Sequence, residues 1–223
     1  MRIRMTCTQA TRPILLAVLL ALSGCFSLSR GAPPQQYYVL GGGRQSDEAL
    51  PAVAPVAVGD SAVIGLRPPL LAEYLATPFI VVRAGPNRVD FSEFDRWGED
   101  LARAIHLSVA SHIEAGAPGW RVEIAPWPSQ MQPEYLIELR VLHFEGVAPA
   151  NPGASVGEAH VLVTWEILRR QGEVVLLRGV TEVRETGWVV GDFDGLVSLL
   201  DTGLGTLAET LTAGLKSVLP PPD

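Results

Sequence analysis

The sequence predicts an α+β domain, a single domain with a mostly antiparallel sheet and two amphipathic helices packed on one face. Three observations lead there. In Tyr135 to Phe144 and again from Val161 to Ile167, apolar and polar residues alternate, so each of these strands buries one face and wets the other. Two other segments carry an apolar residue every three or four positions, the period of a helix. The strand patterns come in groups with the two helical patterns set apart, which does not fit a regular alternation of strand and helix.

Ahead of this domain lies a different composition. Arg2, Arg4 and Arg12 make a basic start, and the apolar run Ile14 to Leu22 ends in the small residues Ser23 and Gly24. That is the architecture of a secretory signal, too short to span a bilayer. Leu22-Ser23-Gly24-Cys25 resembles the lipobox of bacterial lipoproteins, in which a peptidase cuts before the cysteine and its sulfur takes up diacylglycerol. Cleavage is expected between Gly24 and Cys25. The chain then divides into a signal peptide (1–24), a lipidated tether (25–36), the folded domain (37–219) and a Pro-rich tail (220–223). Cys7 leaves with the signal, so a mature chain would carry one cysteine and no internal disulfide. Acylation is the role left for Cys25. One acyl chain binds a membrane only marginally, whereas the two or three of a mature lipoprotein hold it there.

The full chain has a net charge of −7, and removal of residues 1–24 takes three arginines with it, leaving −10. Lys216 is the sole lysine and no basic cluster stands out, so nucleic acid is not an expected partner. No repeat of fixed period appears.

The elements follow in order. Tyr37 to Leu40 reads as a first strand, closed by the turn Gly41-Gly42-Gly43; no Gly-Lys-Ser/Thr follows to make it a phosphate loop. Val56 to Leu66 reads as a second strand, with Gly59-Asp60 placed to bulge it. Pro68-Pro69 breaks the chain, and Leu70 to Leu75 suits a helical turn. Ile80 to Arg83 and Arg88 to Phe91 flank the turn cluster Gly85-Pro86-Asn87 as a hairpin. Ser92, with Asp95 three residues on, suggests a capping box for a helix whose ridge is Trp97, Leu101, Ile105, Val109 and Ile113. Gly116 and Pro118 stop it.

A short strand is expected over Trp120 to Ala125, then the alternating run from Tyr135 and a loop from Gly146 to Gly157. Past Val161 to Ile167, Gln171-Gly172 turns the chain into a long partner strand over Glu173 to Thr186. The last helix has Leu196, Leu200, Leu204, Leu207, Leu211, Leu215 and Val218 on one stripe, with Asp192 or Asp194 as cap. Gly203, Gly205 and Gly214 each cost about 1 kcal/mol against alanine in a helix, so packing must carry it or small residues let it lie close to the sheet.

Chemistry is sparse. His106 and His112 are six apart on one helix, about 240° around its axis, and do not converge. His143 and His160 lie on separate strands, with no cysteine or carboxylate at ligand spacing, so no metal site is expected. No Gly-x-Ser-x-Gly, His-Glu-x-x-His or dinucleotide-binding glycine pattern occurs, and no catalytic set is assigned. Phe91 to Trp97 is dense in aromatics. It reads as a strand-to-helix junction burying a corner of the core, or as part of a partner or lipid surface.

Tyr37-Tyr38-Val39-Leu40 after a lipobox, Val63-Ile64-Gly65-Leu66-Arg67-Pro68 and Tyr74-Leu75 resemble the opening of the PqiC (YmbA) family of ABC-type transport auxiliary lipoproteins. The stretch Pro78 to Arg83, Asn87-Arg88-Val89, Glu93 to Trp97 and Leu101 continues the likeness. The resemblance implies a compact α+β fold and an outer-membrane, periplasm-facing lipoprotein that works non-catalytically beside an MCE-domain protein in lipid transport between two membranes. It implies no cofactor beyond the diacylglycerol and N-acyl lipid on Cys25. Arg83, Asn87, Phe94 and Trp97 become candidates for partner contact or fold motif, and a homo-oligomer is among the partners it implies. The alternatives are a periplasmic lipid-binding shuttle, with an acyl chain between helix and sheet, and an envelope structural lipoprotein. The loop from Gly146 to Gly157 has no counterpart in the resemblance.

Overall fold

A computed structural model describes residues 33–41, 63–128, 130, 132–151 and 153–219. Residues from Gln35 onward cluster into one compact unit. Its strands are β1 (Gln36–Tyr38), β2 (Val63–Leu66), β3 (Leu70–Leu71), β4 (Phe79–Gly85), β5 (Arg88–Trp97), β6 (Arg121–Ile124), β7 (Tyr135–Val147), β8 (Val156–Arg169) and β9 (Val174–Val189). Helix α1 spans Leu101–Gly116 and α2 spans Phe193–Val218. The α+β architecture matches the sequence expectation.

Strand β7 is the spine. One edge runs antiparallel along β8, which in turn pairs antiparallel with β9. The other edge is covered in succession by three short parallel pieces: β2 at Tyr135 to Ile137, β3 at Arg140 and Val141, and β4 at Gly146 and Val147. Residues 63–85 thus travel beside β7 as one interrupted strand. The prolines at 68, 69 and 78 explain the interruptions, because proline has no N–H to give to a ladder. Between the pieces, Leu70 and Leu71 pair as strand and Glu73–Leu75 forms a single 3₁₀ turn, so the helical turn expected over Leu70 to Leu75 is confined to its second half.

A bulge at Leu142 decides what faces where. Val141 pairs with Val163 and His143 with Leu162, leaving Leu142 as the extra residue. Before it, Tyr135, Ile137, Leu139 and Val141 point toward the helices. After it the parity switches, so Phe144 enters the core while His143 and Glu145 turn to the opposite face.

The Ser92 cap is corrected. Ser92 and Asp95 are hydrogen-bonded as a cap pair would be, Ser92 Oγ to Asp95 Oδ2 at 2.7 Å and Asp95 N–H to Ser92 Oγ at 3.1 Å. They lie inside β5, where Phe79 pairs with Arg96 but Val81 with Phe91, so the pair closes a wide bulge. Trp97 ends that strand, and Asp100 caps α1 by accepting from Arg103 N–H at 2.9 Å. Local chemistry favours the serine–aspartate loop in both settings; pairing of β5 with β4 and β1 keeps this segment extended. Of the second strand, Val63–Leu66 is observed and residues 56–62 lie outside the described residues.

The helix-facing side is tightly filled. Leu196, Leu200, Leu204, Leu207, Leu211 and Leu215 of α2 are all without solvent exposure. Its glycines have a steric reason. A Cβ on Gly203 would stand 2.8 Å from Val161 Cγ2, and one on Gly214 3.0 Å from Leu177 Cδ2, so α2 lies close on β8 and β9. Gly205 faces α1, where its Cβ would be 3.3 Å from His112 Cε1. Ser108 of α1 donates to Asp201 of α2 at 2.8 Å.

This packing sets a first test. Gly203→Leu should lower stability by about 1–3 kcal/mol through overpacking, although leucine is the better helix former. Ser198→Ala on the exposed face should shift it by no more than ~0.5 kcal/mol. Urea midpoints compare them; an unchanged or stabilised Gly203→Leu would show that the helix does not rest on Val161.

Candidate functional site

The residues singled out from the sequence separate on this frame. Gly24 and Cys25 lie outside the described residues. Trp97 is core, with its ring 5.9 Å from Phe144. Phe94 is half-buried in the β5 bulge, and Asn87 is exposed at the β4–β5 turn. Arg83 is engaged in a polar cluster on the helix-free face of the sheet.

Glu145 is the centre of that cluster, with no solvent exposure at all. Arg83 reaches it from β4, donating through Nε to Oε1 at 2.5 Å. Tyr74 of the 3₁₀ turn donates its hydroxyl to Oε2 at 2.6 Å. His143 Nδ1 lies 3.0 Å from Oε1 on the same strand, since residues two apart share a face. His160, the direct cross-strand partner of Glu145, stacks on His143 with 4.6 Å between ring centroids. Its Nε2 lies 3.0 Å from Glu182 Oε1, and Glu182 also accepts from Arg184 Nε at 3.0 Å. Arg184 completes the chain with an ion pair to Glu158. Burial and the neighbouring Glu145 carboxylate push the Tyr74 hydroxyl well above its ordinary pKa, so it stays a donor.

The expectation that His143 and His160 lack a carboxylate is corrected by this geometry. His143, Glu145 and His160 bring one ligand atom each within 4.8 Å of one another, a two-histidine, one-carboxylate set. The missed signal was the pair His143 and Glu145, two apart, opposite His160 in register; it needed the Leu142 bulge to be visible. The set is nevertheless spoken for. The guanidinium of Arg83 holds one Glu145 oxygen and Tyr74 the other, while Glu182 takes His160. A dication would have to displace a cation already in place and leave it beside itself. The residues therefore do not fit a metal, and the cluster works as a clasp between the 63–85 segment and β7.

Next to it on the same face, an open trough of about 850 Å³ lies between Arg67, Pro68 and Leu70 on one side and Arg178 and Val180 on the other. Arg67 is paired with Glu138 and with Glu173 at 3.1 Å, and Arg178 lies 3.7 Å from Glu166. Leu70 and Val180 are exposed apolar residues in this setting.

Two tests follow from the clasp. Arg83→Met leaves a buried carboxylate without its guanidinium and should cost about 3–5 kcal/mol. Arg83→Met with Glu145→Leu should recover most of that loss, giving a large coupling energy in a double-mutant cycle; additive losses would mean the two do not act as a pair. The second concerns pH. Burial, then the charges of Arg184 and His143, hold His160 below its ordinary pKa. The unfolded chain thus takes up the proton first, near about pH 6.5. This stabilisation is complete above that pH and drains away as pH falls toward the lowered value. The melting temperature should drop between pH 7 and 5, and His160→Gln should flatten that slope; an identical slope would remove His160 from the account.

The family model for ABC-type transport auxiliary lipoprotein components matches residues 46–212. A search of curated proteins finds no relative. Among solved structures, a Xanthomonas campestris protein is similar at 17% identity and a TM-score of 0.58, over 69% of this chain and 83% of that one. An uncharacterised protein superposes at 13% identity and a TM-score of 0.60, over 82% of this chain and 99% of the other. These likenesses speak to the fold alone. A minor lipoprotein of Acinetobacter baumannii, at 13% identity and a TM-score of 0.39 over 70% and 93% of the two chains, is too distant to support an argument. With its sequence matched across most of its length, the chain belongs to the family of ABC-type transport auxiliary lipoprotein components.

Proposed function

We propose that this chain is a non-catalytic accessory lipoprotein of an MCE-type lipid transport system, anchored by lipid on Cys25 to the outer membrane and facing the periplasm. The family match over residues 46–212 is the observation that carries this reading. The geometry supports it in two ways. The buried titratable residues around Glu145 are committed to one another, so they serve stability and leave no group poised for proton transfer. The trough beside them, with exposed Leu70 and Val180 ringed by arginine and glutamate, suits a protein partner with an apolar centre and a charged rim. The MCE-domain protein is the partner we assign to it.

Two features of the sequence support the address. Cys25 ends a lipobox, and Phe26 stands where an aspartate would favour retention in the inner membrane. The shuttle alternative is less well supported. An acyl chain between α2 and the sheet would have to enter where Gly203 and Gly214 already bring the helix backbone against Val161 and Leu177. Among the singled-out residues, Arg83 and Trp97 belong to the fold, which leaves Asn87 and Phe94 for surface roles.

The test has an address arm and a partner arm. Cys25→Ser should accumulate as uncleaved precursor without radiolabelled palmitate, and the parent should fractionate with the outer membrane. A photo-crosslinking residue at Val180 should give an adduct containing the MCE-domain protein. Recovery of the mature parent in the inner membrane would overturn the address, and an MCE adduct formed only from positions outside the trough would overturn the docking surface.

A further inference from the structure

Strands β1, β5 and β4 carry an aromatic patch on the face away from the helices. Tyr37 pairs with Arg96, and Arg96 with Phe79, so the three side chains stand in one row across the strands. The Arg96 guanidinium lies over the Phe79 ring, 4.6 Å from its centroid, and Phe91 meets Phe79 edge-on at 6.5 Å. Val39, two residues after Tyr37, extends the row. Tyr37 is 63% exposed, Val39 52% and Phe91 48%, an unusual concentration of open apolar surface. Strand alternation sends the neighbouring carboxylates Asp90 and Asp95 the other way, and Asp95 accepts from Tyr38 on the helix side at 3.0 Å. Apart from Glu93 in the bulge, the row is aromatic, aliphatic and cationic on an acidic protein.

We infer that this patch rests on the bilayer to which Cys25 is tethered, with its rings at headgroup depth and Arg96 beside the lipid phosphates. The inference builds on the lipid anchor proposed above. Gln36, the first residue of β1, is eleven positions on from Cys25, and ten residues lie between them. Fully extended, those eleven steps reach roughly 36–40 Å. The tether therefore leads directly from the membrane into the strand that carries Tyr37, with Val39 just past its end. Tyrosine and phenylalanine beside arginine form the composition that suits the interface between hydrocarbon and water. Because the anchor already holds the domain at high effective concentration, a weak patch affinity is enough to fix its orientation. A fixed orientation is of use to a docking protein, because it sets the angle at which the neighbouring trough is presented to a partner.

The experiment uses the mature full chain, reconstituted into phosphatidylethanolamine–phosphatidylglycerol vesicles with and without lipids brominated near the headgroup. Tryptophan is introduced as Phe91→Trp, with Tyr37→Trp as a second probe should the first disturb the hairpin and Val180→Trp as the distant control. The emission added by the patch probes should fall about twofold with brominated lipid, as rings at headgroup depth require, and that added at Val180 should stay unchanged. Patch probes quenched no more than Val180→Trp, on a chain whose mass confirms lipid on Cys25, overturn the patch alone. Probes shielded from both brominated lipid and aqueous iodide overturn it in favour of a protein contact, including a second copy. A mass showing unmodified Cys25 overturns the anchor and, with it, this orientation.

Discussion

A carboxylate sealed from water is the constraint on which this structure turns. Glu145 reaches zero exposure because the Leu142 bulge swings it to the helix-free face, where the 63–85 segment folds over it. An isolated charge there would be intolerable, so Arg83 and Tyr74 must both arrive. Their arrival pins β4 and the 3₁₀ turn to the far end of β7, beyond the points where β2 and β3 pair with it. The parallel ladders on that edge are only two or three residue pairs long and would hold poorly alone. Polar contacts that leave the fold no alternative register supply what the ladders lack. The same clasp gives Arg83 a role within the fold.

The two faces of the sheet have been given different jobs. Toward the helices, side chains interlock so closely that α2 keeps glycine at 203 and 214 despite its helix cost. That face is committed to stability. The opposite face carries the charged clasp, the trough and the aromatic row, and its exposed apolar residues have no structural need to be there. The role proposed for it, holding position between a membrane and another protein, would make use of such a division. One face makes the body rigid, and the other offers surfaces at fixed spacing.

How far the sequence reveals this depends on the range of the interaction. The alternation of Tyr135 to Val141 and the leucine ladder of α2 are local periodicities, and both elements emerge where the pattern puts them. Ser92 and Asp95 show where locality misleads: the same two hydrogen bonds close a helix cap or a strand bulge, and only the pairing of β5 with its neighbours decides. The parallel pairing of residues 63–85 with β7 joins segments some sixty to seventy residues apart, and no periodicity announces it. The clasp was hidden for the same reason. Tyr74, Arg83 and Glu145 are ordinary residues in sequence, and the parity switch from Val141 to Phe144 was the one trace of the bulge that assembles them.

The aromatic row would be of little use if the tether could peel β1 from the sheet, since three residues of edge strand are weak on their own. Tyr38 prevents this. Its carbonyl accepts from Gly98 N–H at 2.7 Å, its hydroxyl donates to Asp95, and its ring lies 6.2 Å from Phe193 in the first turn of α2. Phe193 in turn lies 6.5 Å from Trp188, whose indole N–H donates to the Asp192 carbonyl at 2.8 Å, and Asp192 caps α2. A pull on residue 36 is therefore passed through three rings to the helix whose leucine stripe is buried in the core. Tyr37 and Tyr38, adjacent in sequence, divide the work between the faces: Tyr38 locks the strand from within, and Tyr37 is free to meet what lies outside. Strand β1 and the last helix are coupled, so a domain held at its N-terminal end, as proposed, would be held by its core.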